Sequence, residues 1–347
     1  MKSEMYDSWA LPVLAAWPKV KQIVIGEIPS PEVVEIFPTN FCNFNCPHCR
    51  CKACHRDDTA FMDIDVLRRL FGELKDQDVR NLELSGGGEP LVHPEITELF
   101  DLAIQCGFRV GLVTNGYPLV GSDLLKERVA ECCSWIRFSV DAFTDPGFQR
   151  VHGRKDICYR ELKEMIAGLG RLARGRFKIG IKTLVSKLNA GDAMLAIPEA
   201  LETGVDYVQV KFLGFPKELV LGDEAATSLS ERIQMQIESL GDRSVQVELL
   251  PPYKGDPGSG KCLMTFLHAV IDWDGEVYIC AFFDHRKTQH SIGNIRNRGF
   301  REVWEDARHK QTFETIDPRT CVPNCPMRRY NPLVTFVQKQ DFREGFI

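Results

Sequence analysis

From residue 33 to about 212, short apolar runs alternate with stretches of helical period. The apolar runs are VVEIF (33–37), NLELS (81–85), RVGLVTN (109–115), WIRFSVDA (135–142), FKIGIKTLV (177–185) and YVQVKF (207–212). Between them lie DIDVLRRLFGELKDQ, HPEITELFDLAIQCG, SDLLKERVAECC, YRELKEMIAGLGRLA and AMLAIPEALETG, two of which close on a glycine, as a helix C-terminus should. Strands separated by helices of this length predict βα units and a parallel sheet. Right-handed crossovers leave a doubly wound sheet or a partial barrel, and in both the chemistry sits at the C-terminal ends of the strands.

Further on, SLSERIQMQIESLG reads as a helix and VQVELL as a strand, and the Pro/Gly-rich PPYKGDPGSGK (251–261) reads as a boundary loop. After it, HAVIDWDGEVYIC reads as a β-hairpin turning on Asp274-Gly275. The expected division is an N-terminal extension (1–32), a core (33–250), and a cysteine-rich extension with its tail (251–347).

Composition narrows the class. At 347 residues, 44% hydrophobic and 26% charged, the chain has ample material for a large globular core. No apolar run approaches the roughly 20 residues that span a bilayer. Pro12, Pro18 and several charges interrupt the N-terminus, which makes a poor signal peptide, so a cytoplasmic protein with no membrane partner is expected. A net charge of -5 and a pI near 6.0 lack the basic footprint of a nucleic-acid binder.

Thirteen cysteines are many for a reducing compartment, where clustered thiols bind metal or do chemistry. Cys106, Cys132, Cys133 and Cys158 are scattered and read as small buried hydrophobes. The rest form two groups, 42–54 and 262–325.

Cys42, Cys46 and Cys49 follow the first strand directly, with the spacing C-x3-C-x2-C. Three thiolates on one loop can each bind one iron of a cubane cluster and leave the fourth iron open. An open iron can be chelated by the amino and carboxylate groups of S-adenosylmethionine (SAM). The rival is a structural zinc site, which wants four ligands, often as two separated CxxC pairs. Five cysteines within 42–54 fit that poorly. Cys51, Cys54 and His55 are loop residues, a redox pair or a substrate-side group.

This motif after the first strand resembles the defining motif of the radical SAM superfamily. The family usually has an aromatic residue before the third cysteine; here it is His48, whose imidazole can lie flat on a purine. The resemblance implies an α/β fold, a partial (β/α)6 parallel barrel. Gly86-Gly87-Gly88-Glu89, after the second strand, resembles the family's GGE element, implying that Gly87, Gly88 and Glu89 hold the SAM amino group. By the same resemblance Ser139 and an arginine among Arg150, Arg154 and Arg160 would meet the SAM carboxylate and ribose. Asn115 and Asp141, at strand ends, line the same mouth or cap turns. Lys182 and Lys211 sit inside apolar strands, where an unpaired ammonium is costly, and are taken as substrate-facing.

Cys262 and Cys280 enclose C-x12-G-x4-C, and Cys321 and Cys325 follow forty residues on. By ligand count alone a zinc ribbon competes. After a radical SAM core, the pattern resembles the SPASM/twitch extension and implies one auxiliary [4Fe–4S] cluster, making two in all. A closed auxiliary cluster would relay electrons.

What the resemblance implies is reductive cleavage of SAM to a 5′-deoxyadenosyl radical, hydrogen abstraction from an organic substrate, and an external one-electron donor of flavodoxin or ferredoxin type. The outcome would be oxidation, or epimerisation with Cys51, Cys54 or Cys158 returning a hydrogen atom. Only about 30 residues precede the first strand, where peptide-modifying relatives often carry a leader-binding domain. The expected substrate is therefore a small molecule of sugar, aminocyclitol or nucleoside type, with a peptide as the alternative. A zinc-binding interaction protein is the alternative of another class.

Overall fold

The computed structural model describes residues 15–51, 60–173, 175–241, 245–250, 261–282, 287–321, 325, 327 and 330–339. Their strands are β1 (Val33–Ile36), β2 (Asn81–Leu84), β3 (Arg109–Thr114), β4 (Cys133–Ser139), β5 (Lys178–Val185), β6 (Tyr207–Phe212), β7 (Gln246–Leu250), β8 (His268–Ile271), β9 (Glu276–Tyr278) and β10 (Ser291–Asn294). All ten belong to one sheet in the order β10-β9-β8-β1-β2-β3-β4-β5-β6-β7. The run from β8 through β7 is parallel throughout, and β9 and β10 add antiparallel pairs at the edge.

The expected six core strands are present. VQVELL adds a seventh beside β6, and β8 from the cysteine-rich extension pairs in parallel with β1. The extension is thus stitched to the core by backbone hydrogen bonds. Its hairpin turns differently from expectation. Residues 272–275 form the turn, with Gly275 N–H donating to Asp272 O at 2.8 Å and Gly275 at φ +83°. Asp274 Oδ1 accepts the Glu276 N–H at 3.1 Å instead of sitting in a two-residue loop.

Helices α1 (Trp17–Val24), α2 (Ile64–Asp76), α3 (Ile96–Cys106), α4 (Asp123–Cys132), α5 (Asp145–His152), α6 (Tyr159–Ala173), α7 (Ala196–Thr203) and α8 (Asp223–Glu238) include the connections between core strands. Their ends follow from side-chain chemistry. Asp63 accepts the Asp65 N–H at the start of α2, Ser122 accepts Leu125 N–H at α4, and Thr144 accepts Gly147 N–H at α5. Leu67, Leu70, Phe71 and Leu74, at helical spacing, bury one face of α2 in the core. After the sheet come α9 (Lys287–His290), α10 (Phe300–Trp304), α11 (Ala307–Thr315) and α12 (Asn331–Lys339). A second, smaller core joins Val20 and Ile23 of α1 to Leu263, Phe266, Leu267 and Val334. The N-terminal segment therefore packs on the C-terminal extension.

Strand alternation separates the two faces of the sheet. In β6, Val208, Val210 and Phe212 are buried, whereas Tyr207, Gln209 and Lys211 are half-buried. The half-buried face of β2, β4 and β5 carries Glu83, Arg137 and Lys182. These groups sense one another across non-adjacent strands: Glu83 on β2 feels Arg137, His268 and Lys182. That is what a sheet curled around a polar lumen produces. Two rings cover its glycines, since a Cβ on Gly111 would lie 2.1 Å from Trp135 and one on Gly180 2.1 Å from Tyr207. No helix among the described residues is long and apolar enough to cross a membrane.

Candidate cluster and cofactor site

The loop carrying Cys42, Cys46 and Cys49 leaves β1 and is gripped from two sides. On one side it pairs with the glycine turn after β2: Gly88 N–H donates to Thr39 O at 3.1 Å and Glu89 N–H to Phe41 O at 2.8 Å. A Cβ on Gly88 would stand 2.0 Å from the Phe41 carbonyl oxygen, and one on Gly87 2.6 Å from Asn40 Oδ1. Close approach of the Phe41 backbone explains Gly88, and that of the Asn40 side chain explains Gly87.

On the other side, the C-terminal end of α5 holds the loop. Asn45 N–H donates to His152 O at 3.0 Å, and Arg154 Nη1 donates to Asn43 O at 2.8 Å. His152 Nδ1 stands 3.2 Å from Cys46 Sγ, its ring boxed by Phe44 and Phe148 at 4.8 and 4.4 Å. Burial pushes the imidazole down to about 4, so it is neutral at pH 7. His152 is not among the residues expected at the site, and its helix is not among the expected helices, although Arg150 on the same helix is an expected SAM contact. The signals for the helix were there: Thr144 as cap, Pro146 in the first turn, Gly153 just past the end.

The Cys42 and Cys46 thiols are poor as isolated acids. Burial pushes Cys42 up to about 12, with repulsion from Glu89 and Cys49 adding to it. Burial also raises Cys46, followed by Asp141, Cys49 and Cys42. Three thiolates in so small and buried a space need compensating positive charge, and a cluster of iron supplies it. The residues present fit that group. No three His, Cys, Asp or Glu side chains among the described residues close on a single metal ion; shared burial and mutual repulsion mark the loop. Asn115 Nδ2 donates to Asn43 Oδ1 at 2.7 Å and reaches toward Cys42 Sγ at 4.0 Å.

Glu89 is buried, and both its oxygens accept bonds from the chain. Oε1 takes the Thr114 hydroxyl (2.6 Å) and Leu91 N–H (3.1 Å), and Oε2 takes Asn115 N–H (2.7 Å). Burial pushes the carboxyl up to about 7 against the pull of these donors. Glu89 thus ties the glycine turn to the end of β3. His48 is buried too: its Nε2 stands 2.8 Å from Asp141 Oδ2, while Nδ1 meets no partner among the described residues. Asp141 also accepts Leu184 N–H at 2.7 Å, which fixes its role as a joint between the cluster loop and β5.

Ser139 ends β4 in register with Lys182. Of the three arginines, Arg154 is the one that touches the cluster loop. Arg150 is exposed and donates to Leu188 O at 3.3 Å, and Arg160 is exposed near the start of α6. Cys132 and Cys133 are buried; Cys106 and Cys158 are half-buried, and the Cys158 thiol donates to Asp145 Oδ1 at 3.2 Å. Cys51 is half-buried. Cys54 and His55 lie outside the described residues.

The second group converges as well. Burial raises the Cys262 thiol far above its ordinary value, and Cys325, Cys280 and Cys321 each raise it further, so all four sulfurs share one neighbourhood. Asn331 brackets Cys262: its Oδ1 accepts Leu263 N–H at 2.7 Å and its Nδ2 donates to Lys261 O at 2.9 Å. The two cysteine loops meet at the mouth of the lumen. Arg50, next to Cys49, lies 4.4 Å from the centre of the Phe282 ring, and Lys211 Nζ lies 5.8 Å from the same ring.

Two family models match the chain: the radical SAM superfamily over residues 36–184 and an iron–sulfur cluster-binding domain (SPASM) over residues 262–326. The tungsten-containing aldehyde ferredoxin oxidoreductase cofactor-modifying protein of Pyrococcus furiosus is 24% identical over 327 residues, covering 87% of this chain and 88% of that protein. The AdoMet-dependent heme synthase of Methanosarcina barkeri is 26% identical over 325 residues, covering 87% and 89%. The fold is similar to that of Streptococcus suis SuiB bound to S-adenosylmethionine, with a TM-score of 0.69 at 14% identity over 92% of this chain and 77% of SuiB.

Proposed function

Since the chain belongs to the radical SAM superfamily and carries a SPASM iron–sulfur domain, we propose that it oxidises a small-molecule substrate held in the barrel lumen. Cys42, Cys46 and Cys49 hold the SAM cluster, and Cys262, Cys280, Cys321 and Cys325 hold one auxiliary [4Fe–4S] cluster. When bound, the clusters and SAM supply a 5′-deoxyadenosyl radical that takes hydrogen from an unactivated carbon, and a route for the second electron.

The chain's own residues do the rest. The backbone of Gly87-Gly88 and the turn pinned by Glu89 present the carbonyls that receive the SAM ammonium. His48, oriented by Asp141, offers a flat face beside the third cysteine. Ser139 and Asn115 provide polar contacts at the strand ends. His152 and Arg154 keep the loop seated. An external one-electron donor of flavodoxin or ferredoxin type starts the cycle.

The observation that carries the small-molecule reading is the half-buried, charged lumen lying under both cysteine loops. A sugar, aminocyclitol or nucleoside offers the hydroxyls such a lining can bind. By their names, one of the two relatives modifies a cofactor and the other makes heme. Oxidation is preferred to epimerisation because four cysteines surround the auxiliary site, and because the Cys158 thiol is engaged by Asp145. The test is anaerobic incubation of the reconstituted protein with SAM, dithionite and cell metabolite extract. The expected result is substrate-dependent 5′-deoxyadenosine and a metabolite two mass units lighter. Consumption of a peptide in place of a metabolite would overturn the small-molecule part.

A further inference from the structure

Lys182 stands mid-strand on the lumen face of β5, in register with Ser139 and Gln209. Among the described residues its ammonium makes no hydrogen bond or ion pair. It is buried, the cations Arg137, Lys211 and Arg50 all lie close enough to repel it, and only the more distant pull of Asp141 and Glu83 opposes them. An ammonium withdrawn from water without a counter-charge costs stability.

The anions of the lumen do not relieve it. Glu35 is engaged by His268 at 3.3 Å and by the Ser85 hydroxyl. Glu248 accepts Gln209 Nε2 at 2.5 Å. Glu83 lies 3.7 Å from Arg137 Nη2, longer than a hydrogen bond, and the buried Nε of Arg137 has no partner among the described residues. The lumen therefore presents the Lys182 ammonium and an unfilled guanidinium donor, with the Lys211 cation beside them, to whatever enters beneath the cysteine loops.

The geometry points to an oxyanion-binding site built from Lys182, Lys211 and Arg137, which takes a carboxylate or phosphate carried by the substrate. It rests on the reading that the lumen holds the substrate. An entering oxyanion gives Lys182 its missing counter-charge and satisfies Arg137 Nε, so the cost stored in the empty lumen becomes binding energy. Compact ammonium groups suit either oxyanion as point charges.

The test is calorimetric titration of the cluster-reconstituted, SAM-saturated protein with inorganic phosphate and, separately, with succinate. Saturable binding of one of them is expected, identifying which oxyanion the site takes. Lys182→Met and Lys211→Met should each weaken it tenfold or more, and Lys182→Arg should stay within threefold of the unaltered protein. Lys178→Met, on the exposed end of β5, should change nothing. Iron and sulfide content checks each variant, and Lys182→Met should melt higher than the unaltered protein.

Binding of neither anion, or binding by both methionine variants as tight as by the unaltered protein, overturns the site. So does loss of binding when SAM is added, because the cations would then serve the SAM carboxylate. The radical reading is judged separately by 5′-deoxyadenosine formation in the same preparation. If it forms without anion binding, only this inference falls.

Discussion

His152 Nδ1 lies 3.2 Å from the Cys46 sulfur, while the carbonyl of the same residue accepts the Asn45 N–H at 3.0 Å. One residue at the end of α5 thus holds the cluster loop by both side chain and backbone. Its neutral ring has a single N–H to give, and with Nε2 buried and without a partner among the described residues the sulfur is where a donor is needed.

An N–H donated to a cluster thiolate stabilises the reduced state and raises the potential. His152→Phe should fit between Phe44 and Phe148, keep iron and sulfide near the unaltered level, and shift the midpoint of the SAM cluster to more negative values. Redox titration followed by electron paramagnetic resonance reads this. An unchanged midpoint would remove His152 from any electronic role and leave it as packing.

Gly153→Ala separates crowding from backbone strain. Gly153 and Gly107 both have left-handed φ, +65° and +78°, so alanine costs each about 1–2 kcal/mol. Only at Gly153 would the new Cβ meet anything, namely the Asn45 carbonyl oxygen at 2.1 Å. Gly107→Ala should therefore lower Tm and still load both clusters. Gly153→Ala should lose the SAM-cluster share of the iron. Equal iron in the two variants would contradict the clamp.

Both cysteine patterns, the glycine–glutamate turn and the six core strands were legible from the sequence, because each is a local spacing or period. The missing parts join distant residues. The pairing of β8 with β1 couples His268 to Val33, and the Arg50–Phe282 stack spans 282 minus 50 positions; neither leaves a local periodicity. Glu89 was legible as a residue and not as a joint, since its partners Thr114 and Asn115 come from the next strand. His152 left no signal of its own, being one histidine in an eight-residue helix.

The Glu35–His268 pair predicts a pH window. Burial disfavours both charges, yet the contact with His268 and the Ser85 hydroxyl hold the Glu35 carboxyl below its ordinary 4.5. Against burial, Glu35 likewise lifts His268 above its ordinary 6.5. The carboxylate contributes stability above 4.5 that is lost as pH falls through its lower folded value. The imidazolium contributes stability fully present below 6.5 that is lost as pH rises through its higher folded value. The Tm difference between the unaltered protein and His268→Gln should thus be largest at about pH 5.5 and shrink on the alkaline side. A difference that grows toward pH 9 would mean the ring is neutral in the folded protein.

The central claim is that the loop of Cys42, Cys46 and Cys49 holds a cluster able to cleave SAM. The most direct measurement is of metal, sulfide and 5′-deoxyadenosine in one anaerobic preparation reduced with dithionite, beside Cys42→Ala. The account predicts iron and sulfide for two [4Fe–4S] clusters, one fewer in the variant, and 5′-deoxyadenosine from the unaltered protein alone. Stoichiometric zinc without sulfide, or equal 5′-deoxyadenosine from both proteins, would contradict it.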